Sequence, residues 1–174
     1  MYREVDTQGQ GKLCSTIKYF PGEEGSKKYL QKGHPKGLSV IRPSREVKAI
    51  FFTESPIDAL SHKQLYGTEH TLYLSTCGNI GRDIARNLEA IFIQAKKNSI
   101  IVKLGFDGDE KGREMAQKVA AIASKHGLIC QMELPKGVKD WNDMLVAHLN
   151  NQLNYISQNL LLLWLGSLRE KSMK

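Results

Sequence analysis

The sequence predicts an α/β protein with a central sheet of four parallel strands, helices on both faces, and a small β-rich region ahead of it. Three observations carry this. From residue 49 onward, short runs of β-branched and aromatic residues alternate with segments of helical periodicity. The intervening helical segments are long enough to return the chain for a parallel crossover. Helix punctuation falls between the runs, as at "TESPID" and "LYGTEH".

Taken in order, "AIFFTE" is a strand ending at Glu54, and "SPIDALSHKQLYG" is a helix. Ser55 suits the N-cap, Pro56 the first helical position, and Gly67 the stop. "TLYLSTCG" is the second strand. "GRDIARNLEAIFIQAKK" is an amphipathic helix with Ile84, Leu88, Ile91 and Ala95 on one face. "NSIIVKLGFD" is the third strand. The helix after it sets Met115, Val119, Ile122 and Ala123 on one side and closes at Gly127. "LICQMELP" reads as the fourth strand, and "KDWNDMLVAHL" opens another helix. Three regions follow: a basic β-rich lead-in over 1–48, an α/β domain over 49–149, and a separate C-terminal helix over 150–174, with Leu153, Ile156, Leu160, Leu163 and Trp164.

Composition narrows the class. The 174 residues suit one domain with a real core. No apolar run reaches the roughly 18 residues that span a bilayer. The N-terminus lacks a signal-like apolar core, so a cytoplasmic location is the default expectation. Cys14, Cys77 and Cys130 are far apart with no CxxC, which argues against a cysteine zinc site. Cys77 and Cys130 read as buried thiols in strand-like segments. Net charge is +7, with many lysines and arginines before residue 49. That balance leans toward a polyanionic partner, though it also serves solubility.

Parallel strands with right-handed crossovers end at one edge of the sheet, where open α/β sheets hold their ligands. Glu54, Asp58, Asp107, Asp109, Asp140 and Asp143 fall along that edge. Asp58, Asp109, Asp140 and Asp143 each have a local explanation in helix capping or the helix dipole. Glu54 and Asp107 end apolar strands and do not. At least three converging carboxylates repel strongly in a cleft unless a cation joins them. An all-oxygen set suits Mg²⁺ or Mn²⁺.

Spacing disfavours several competitors. "DGDEKG" starts like an EF-hand loop, but Lys111 and Lys118 stand where calcium ligands belong. The D-x-D follows the third strand, whereas haloacid-dehalogenase-type phosphatases carry theirs after the first. A response-regulator receiver wants an acidic pair after the first strand, and this chain has Glu54-Ser55. Neither dinucleotide nor P-loop glycine motifs occur.

The ordered set resembles the Toprim domain of bacterial-type primases, topoisomerases and some nucleases. In that pattern a glutamate ends the first strand, a glycine the second and D-x-D the third, as Glu54, Gly78, and Asp107 with Asp109 do here. "ESPIDALS", which contains Asp58, and "KDWND", from Lys139 to Asp143, look most like the primase-type proteins of plasmids and other mobile elements. The resemblance spans about Lys48 to Leu149. Ser55 replaces a customary glycine, and no zinc-ribbon, helicase motor or topoisomerase tyrosine domain is evident.

The resemblance implies a Rossmann-like sheet and Mg²⁺ (or Mn²⁺) held by Asp107 and Asp109, with Asp140 and Asn142 completing a second metal region. It implies that Glu54 acts as general base or acid or joins the metal shell, and that Asp58 and Gly78 support the site. Lys111 and Arg113 would meet nucleotide phosphates. The implied activity is primase-like nucleotidyl transfer on single-stranded DNA, with nucleotides as substrates and a helicase or relaxase as possible partner domain. A Toprim nuclease and a non-catalytic nucleic-acid-binding module are the alternatives.

Overall fold

The computed structural model describes residues 37–67 and 69–157 in full. It gives backbone alone for strands at 2–5, 11–15, 17–20 and 27–30, and for the last helix from 158 to 172. The strands are β1 (Tyr2–Val5), β2 (Gly11–Ser15), β3 (Ile17–Phe20), β4 (Lys27–Leu30), β5 (Leu38–Ile41), β6 (Ala49–Thr53), β7 (Thr71–Ser75), β8 (Ile101–Leu104) and β9 (Cys130–Met132). The helices are α1 (Pro56–Tyr66), α2 (Arg82–Lys97), α3 (Glu110–Lys125) and α4 (Trp141–Ser172).

Seven strands share one sheet in the order β2-β1-β5-β7-β6-β8-β9, and β3 and β4 form a separate hairpin. From β7 to β9 the pairing is parallel throughout. β5 joins β7 antiparallel, so the β-rich lead-in extends the main sheet by hydrogen bonding through β1 and β5.

The two faces follow from strand alternation. Phe51 and Tyr73 point to one side and pack with Ala59 of α1 and Trp141 of α4. Ile50, Phe52, Leu74, Val102 and Leu104 point to the other and pack with Ile84, Leu88 and Ile91 of α2 and Met115, Val119 and Ala123 of α3. The chain steps from β6 to β7 in one direction, then from β7 past β6 to β8 in the other. Crossovers of constant hand must therefore place α1 on one face and α2 and α3 on the opposite one, as they do.

Three details differ from the sequence reading. β9 is only Cys130–Met132; it pairs with β8 alone and leaves Ile129 and Met132 exposed. An apolar run does not distinguish an edge strand from a buried one. Cys77 lies beyond β7 in a turn at φ 58°, and both Cys77 and Cys130 are half-buried, not enclosed. Helix α4 runs unbroken from Trp141 to Ser172. It contains no proline, and its first glycine is Gly166, so nothing ends it at 149.

Candidate metal centre at the carboxylate edge

With β6 beside β8, the chain leaves β6 toward β7 and leaves β8 toward β9, to opposite sides and opposite faces. This is a topological switch point, where an open sheet leaves a crevice beyond its strand ends. Glu54 follows β6 and Asp107 follows β8, so both stand at that crevice.

The Glu54 turn is fixed by a hydroxyl cluster. Thr53 Oγ1 and Ser75 Oγ each reach the Ser55 carbonyl, at 2.9 and 3.0 Å, and lie 2.8 Å from each other. The N–H of Cys77 donates to the Glu54 carbonyl at 2.8 Å, and that of Thr76 to Thr53 at 3.1 Å. These bonds hold the Cys77-Gly78 turn against Glu54, with Gly78 at φ 105°. Ser55 caps α1 by accepting from the Asp58 N–H at 3.2 Å, and its hydroxyl donates to the Asp58 carboxylate. The cap therefore also orients a buried aspartate.

The turn after β8 is compressed against α3. A Cβ on Gly112 would collide with the Asp107 carbonyl oxygen, so only glycine allows this approach. Asp109 caps α3, accepting from the Gly112 N–H at 2.8 Å. Arg113 donates to the Gly108 carbonyl at 2.8 Å. The Gly108 N–H donates to the Lys139 carbonyl at 2.8 Å, which ties the "DGD" turn to the "KDWND" turn. Asp140 accepts from the Asp143 N–H at 2.8 Å at the start of α4. Trp141 Nε1 donates to the Gly105 carbonyl at 2.8 Å and anchors that start to β8's end.

The electrostatics centre on Asp107. Burial pushes its carboxyl up to about 7, and Asp58, Glu54 and Asp140 add to the rise, while Lys139 opposes it. Its Oδ1 is buried without a hydrogen-bond partner. Glu54 is mostly covered and accepts from Lys111 Nζ at 2.8 Å; that bond holds the ammonium above its ordinary value. Lys139 Nζ stands 3.8 Å from Asp109. Two lysines thus offset part of the charge that a cation could balance.

Glu54, Asp58, Asp107 and Asp140 interact at one edge, and Asp109 stands beside them through Lys139 and the shared turn. Gly78 lies in the turn bonded to Glu54. Asn142 is turned instead to α1, where Ser61 Oγ donates to its Oδ1 at a long 3.4 Å. Lys111 pairs with Glu54, and Arg113 braces the loop. Sequence reading did not single out Lys139 as a site group or recognise the Thr53-Ser75-Ser55 cluster. The one available signal was hydroxyl residues at the ends of otherwise apolar strands, in "FFTES" and "LYLST".

A cation fits these residues chemically. The donors are all oxygen, which suits Mg²⁺ or Mn²⁺, and the partnerless Asp107 oxygen lacks the positive contact that a buried carboxylate requires. Among the described residues, no three His, Cys, Asp or Glu side chains are already arranged as a ligand set. Lys111 pairs with Glu54, and Asp109 and Asp140 each accept from a helix-start N–H, so a cation that also took Glu54 would have to displace Lys111.

A comparison with curated proteins finds no match. Among solved structures the chain is similar to esterase 2 of Thermogutta terrifontis phosphoramylated by tabun, at 7% identity over 81% of this chain and 94% of that one, with TM-score 0.26. The paraoxon-phosphorylated form of that esterase matches at 8% identity over 72% and 84%, with TM-score 0.25. Likeness that slight carries no argument. The Toprim-like family model matches residues 51–145, which include Glu54, Asp107, Asp109 and Asp140. With more than half of its length matched, the chain belongs to the Toprim-like family.

Proposed function

We propose that the carboxylate edge holds Mg²⁺ or Mn²⁺ and that the protein is a primase-like nucleotidyltransferase, extending a 3′-hydroxyl on a single-stranded DNA template. The observation that carries the metal reading is the buried, partnerless oxygen of Asp107 among three other carboxylates. Family membership supports metal-dependent chemistry on nucleic acid in general. The primase subtype rests on "ESPIDALS" and "KDWND" in the sequence.

Asp107, Asp109 and Asp140 would hold the ion. The chemistry a bound ion supplies is activation of the attacking hydroxyl and charge stabilisation on the triphosphate. Metal ligation would require Asp107 to give up any proton it carries. Glu54, once released by Lys111, is the group available to accept the hydroxyl proton, and the hydroxyl cluster keeps its turn in place. The freed Lys111 and the exposed Arg113 would then meet phosphate oxygens, with a basic chain supporting attraction to the nucleic-acid backbone.

The test is incubation with labelled single-stranded DNA and MgCl₂, with and without nucleoside triphosphates, for wild type and Glu54→Gln. Extension that needs both Mg²⁺ and triphosphates and is lost in Glu54→Gln supports the proposal. Nicking without triphosphates would make the protein a nuclease. Salt-sensitive binding without turnover would make it a non-catalytic binding module.

A further inference from the structure

Helix α4 carries an apolar seam that the described residues leave uncovered. Val146, Leu149, Leu153 and Ile156 are 47%, 40%, 63% and 53% exposed. They are spaced by three, four and three residues, and the alternation continues in the sequence at Leu160 and Leu163. This is a heptad pattern, with Val146, Leu153 and Leu160 at a and Leu149, Ile156 and Leu163 at d. A repeat of about 3.5 residues marks a helix that winds around another helix.

The seam is not the face by which α4 holds the domain. Trp141 is buried and Met144 packs beside it in the aromatic core. At about 100° of rotation per residue, the seam lies roughly a quarter-turn or more around the helix from that face. Knobs at a and d need holes on a facing helix, which a flat surface does not offer.

The identity of that helix follows from charge. The flanking e and g positions are Asn150, Gln152, Ser157 and Asn159, none of them ionised. From Met144 to Leu168 the sequence holds no Asp, Glu, Lys or Arg, although a quarter of the chain is charged. Charges at e and g are the usual means of choosing a different partner and rejecting self. Here nothing rejects self. A protein of net charge +7 repels its own copy elsewhere, and this helix is the segment where two copies meet without like charges opposed. We propose that α4 pairs along this seam with α4 of a second copy of this chain in a two-stranded coiled coil. The proposal goes beyond the metal chemistry and does not depend on it.

Sedimentation equilibrium of the full chain tests it. Wild type should show a concentration-dependent mass approaching twice 19.6 kDa. Leu153→Asp with Ile156→Asp should be monomeric. Both side chains are exposed, so hydrogen-exchange protection of the β6 and β8 amides should stay unchanged and show that the domain is folded. A second pair of variants tests the coiled-coil geometry: Gln152→Glu with Ser157→Glu, and Gln152→Lys with Ser157→Lys. Each should be monomeric alone, and mixing them should restore a dimer of one copy of each. A monomeric wild type, association unaffected by the aspartates, or a mixture that stays monomeric would overturn the proposal. So would a wild type that stays monomeric in solution yet sediments with phospholipid vesicles, which would assign the seam to a lipid surface.

Discussion

Asp107 and His62 are both buried, and their surroundings treat charge in opposite ways. Asp107 faces other carboxylates, so replacing it and Asp109 with asparagine removes like charge, while the new amide side chain at the start of α3 still serves as its cap. The folded state holds the Asp107 proton more tightly than the unfolded chain does, with a pKa raised from 3.8 to about 7. That contribution is full below the unfolded value and is lost as pH rises through about 7. Without metal and above neutral pH, the double variant should therefore melt no lower than wild type. MgCl₂ should raise the wild-type midpoint and not the variant's; equal shifts in thermal melts would remove these aspartates from the metal site. His62 is different. Its Nδ1 lies 2.9 Å from the Tyr73 hydroxyl, its Nε2 3.1 Å from Glu133, and Lys103 bonds the far oxygen of Glu133 at 2.9 Å. The rings of Phe51, Tyr66 and Trp141 surround it. A neutral ring, donating to Glu133 and accepting from Tyr73, satisfies every contact. Burial lowers its affinity for a proton, against the pull of Glu133. The folded state thus binds this proton less readily than the unfolded chain, and the His62 contribution to stability should fall as pH drops through about 6.5. Urea melts at about pH 7.5 and about pH 5.5 in the Asp107→Asn, Asp109→Asn background, which removes the opposing Asp107 contribution, should show this loss, and His62→Gln in that background should flatten the difference. Glu54 and Asp107 stood out in the sequence because each follows a strand end. Lys139 and the His62-Glu133-Lys103 chain were not, because contacts between distant segments leave no periodic trace.

Among the elements, the helix starts were the most legible. Ser55, Asp109 and Asp140 all accept from backbone N–H groups at the starts predicted for them, and Gly67 closes α1 at φ 58°. Such signals are local and need no tertiary partner. The lengths of β9 and α4 were misread because strand burial and helix continuation are decided by neighbours. Tight junctions were equally hidden. Gly112→Ala would drive a methyl into the Asp107 carbonyl, a backbone atom that cannot swing aside. It should cost about 1–3 kcal/mol or more in urea melts and displace the very turn that bears Asp107 and Asp109. Mg²⁺-induced stabilisation should shrink with it. If Gly112→Ala matches wild type in both, α3 does not set the position of that turn.

For the molecule as a whole, alternation of strand and helix in sequence established parallel pairing and hand, but not strand order. That β6 sits between β7 and β8, creating the switch point, depends on which neighbours each strand finds. Nor did the sequence show that the main sheet continues past residue 49 into the lead-in. The antiparallel strand β5 lies outside the family match at 51–145, yet Leu38 is fully buried in the core and Ser39, Val40 and Ile41 pair with Ser75, Leu74 and Tyr73. A fragment cut at residue 49 would keep every carboxylate of the candidate site and still lose that cover. The bared rim of β7 would offer unpaired amides and carbonyls to any passing strand. Such a fragment should precipitate or form β-rich aggregates, seen by light scattering and thioflavin fluorescence, where the full chain, with β1 and β5 in place, stays dispersed. Equal solubility of the two would show that β5 is dispensable. The segment that carries the candidate site and the segment that covers the rim of β7 are therefore different lengths, and Leu38–Ile41 acts as the selvedge of the sheet.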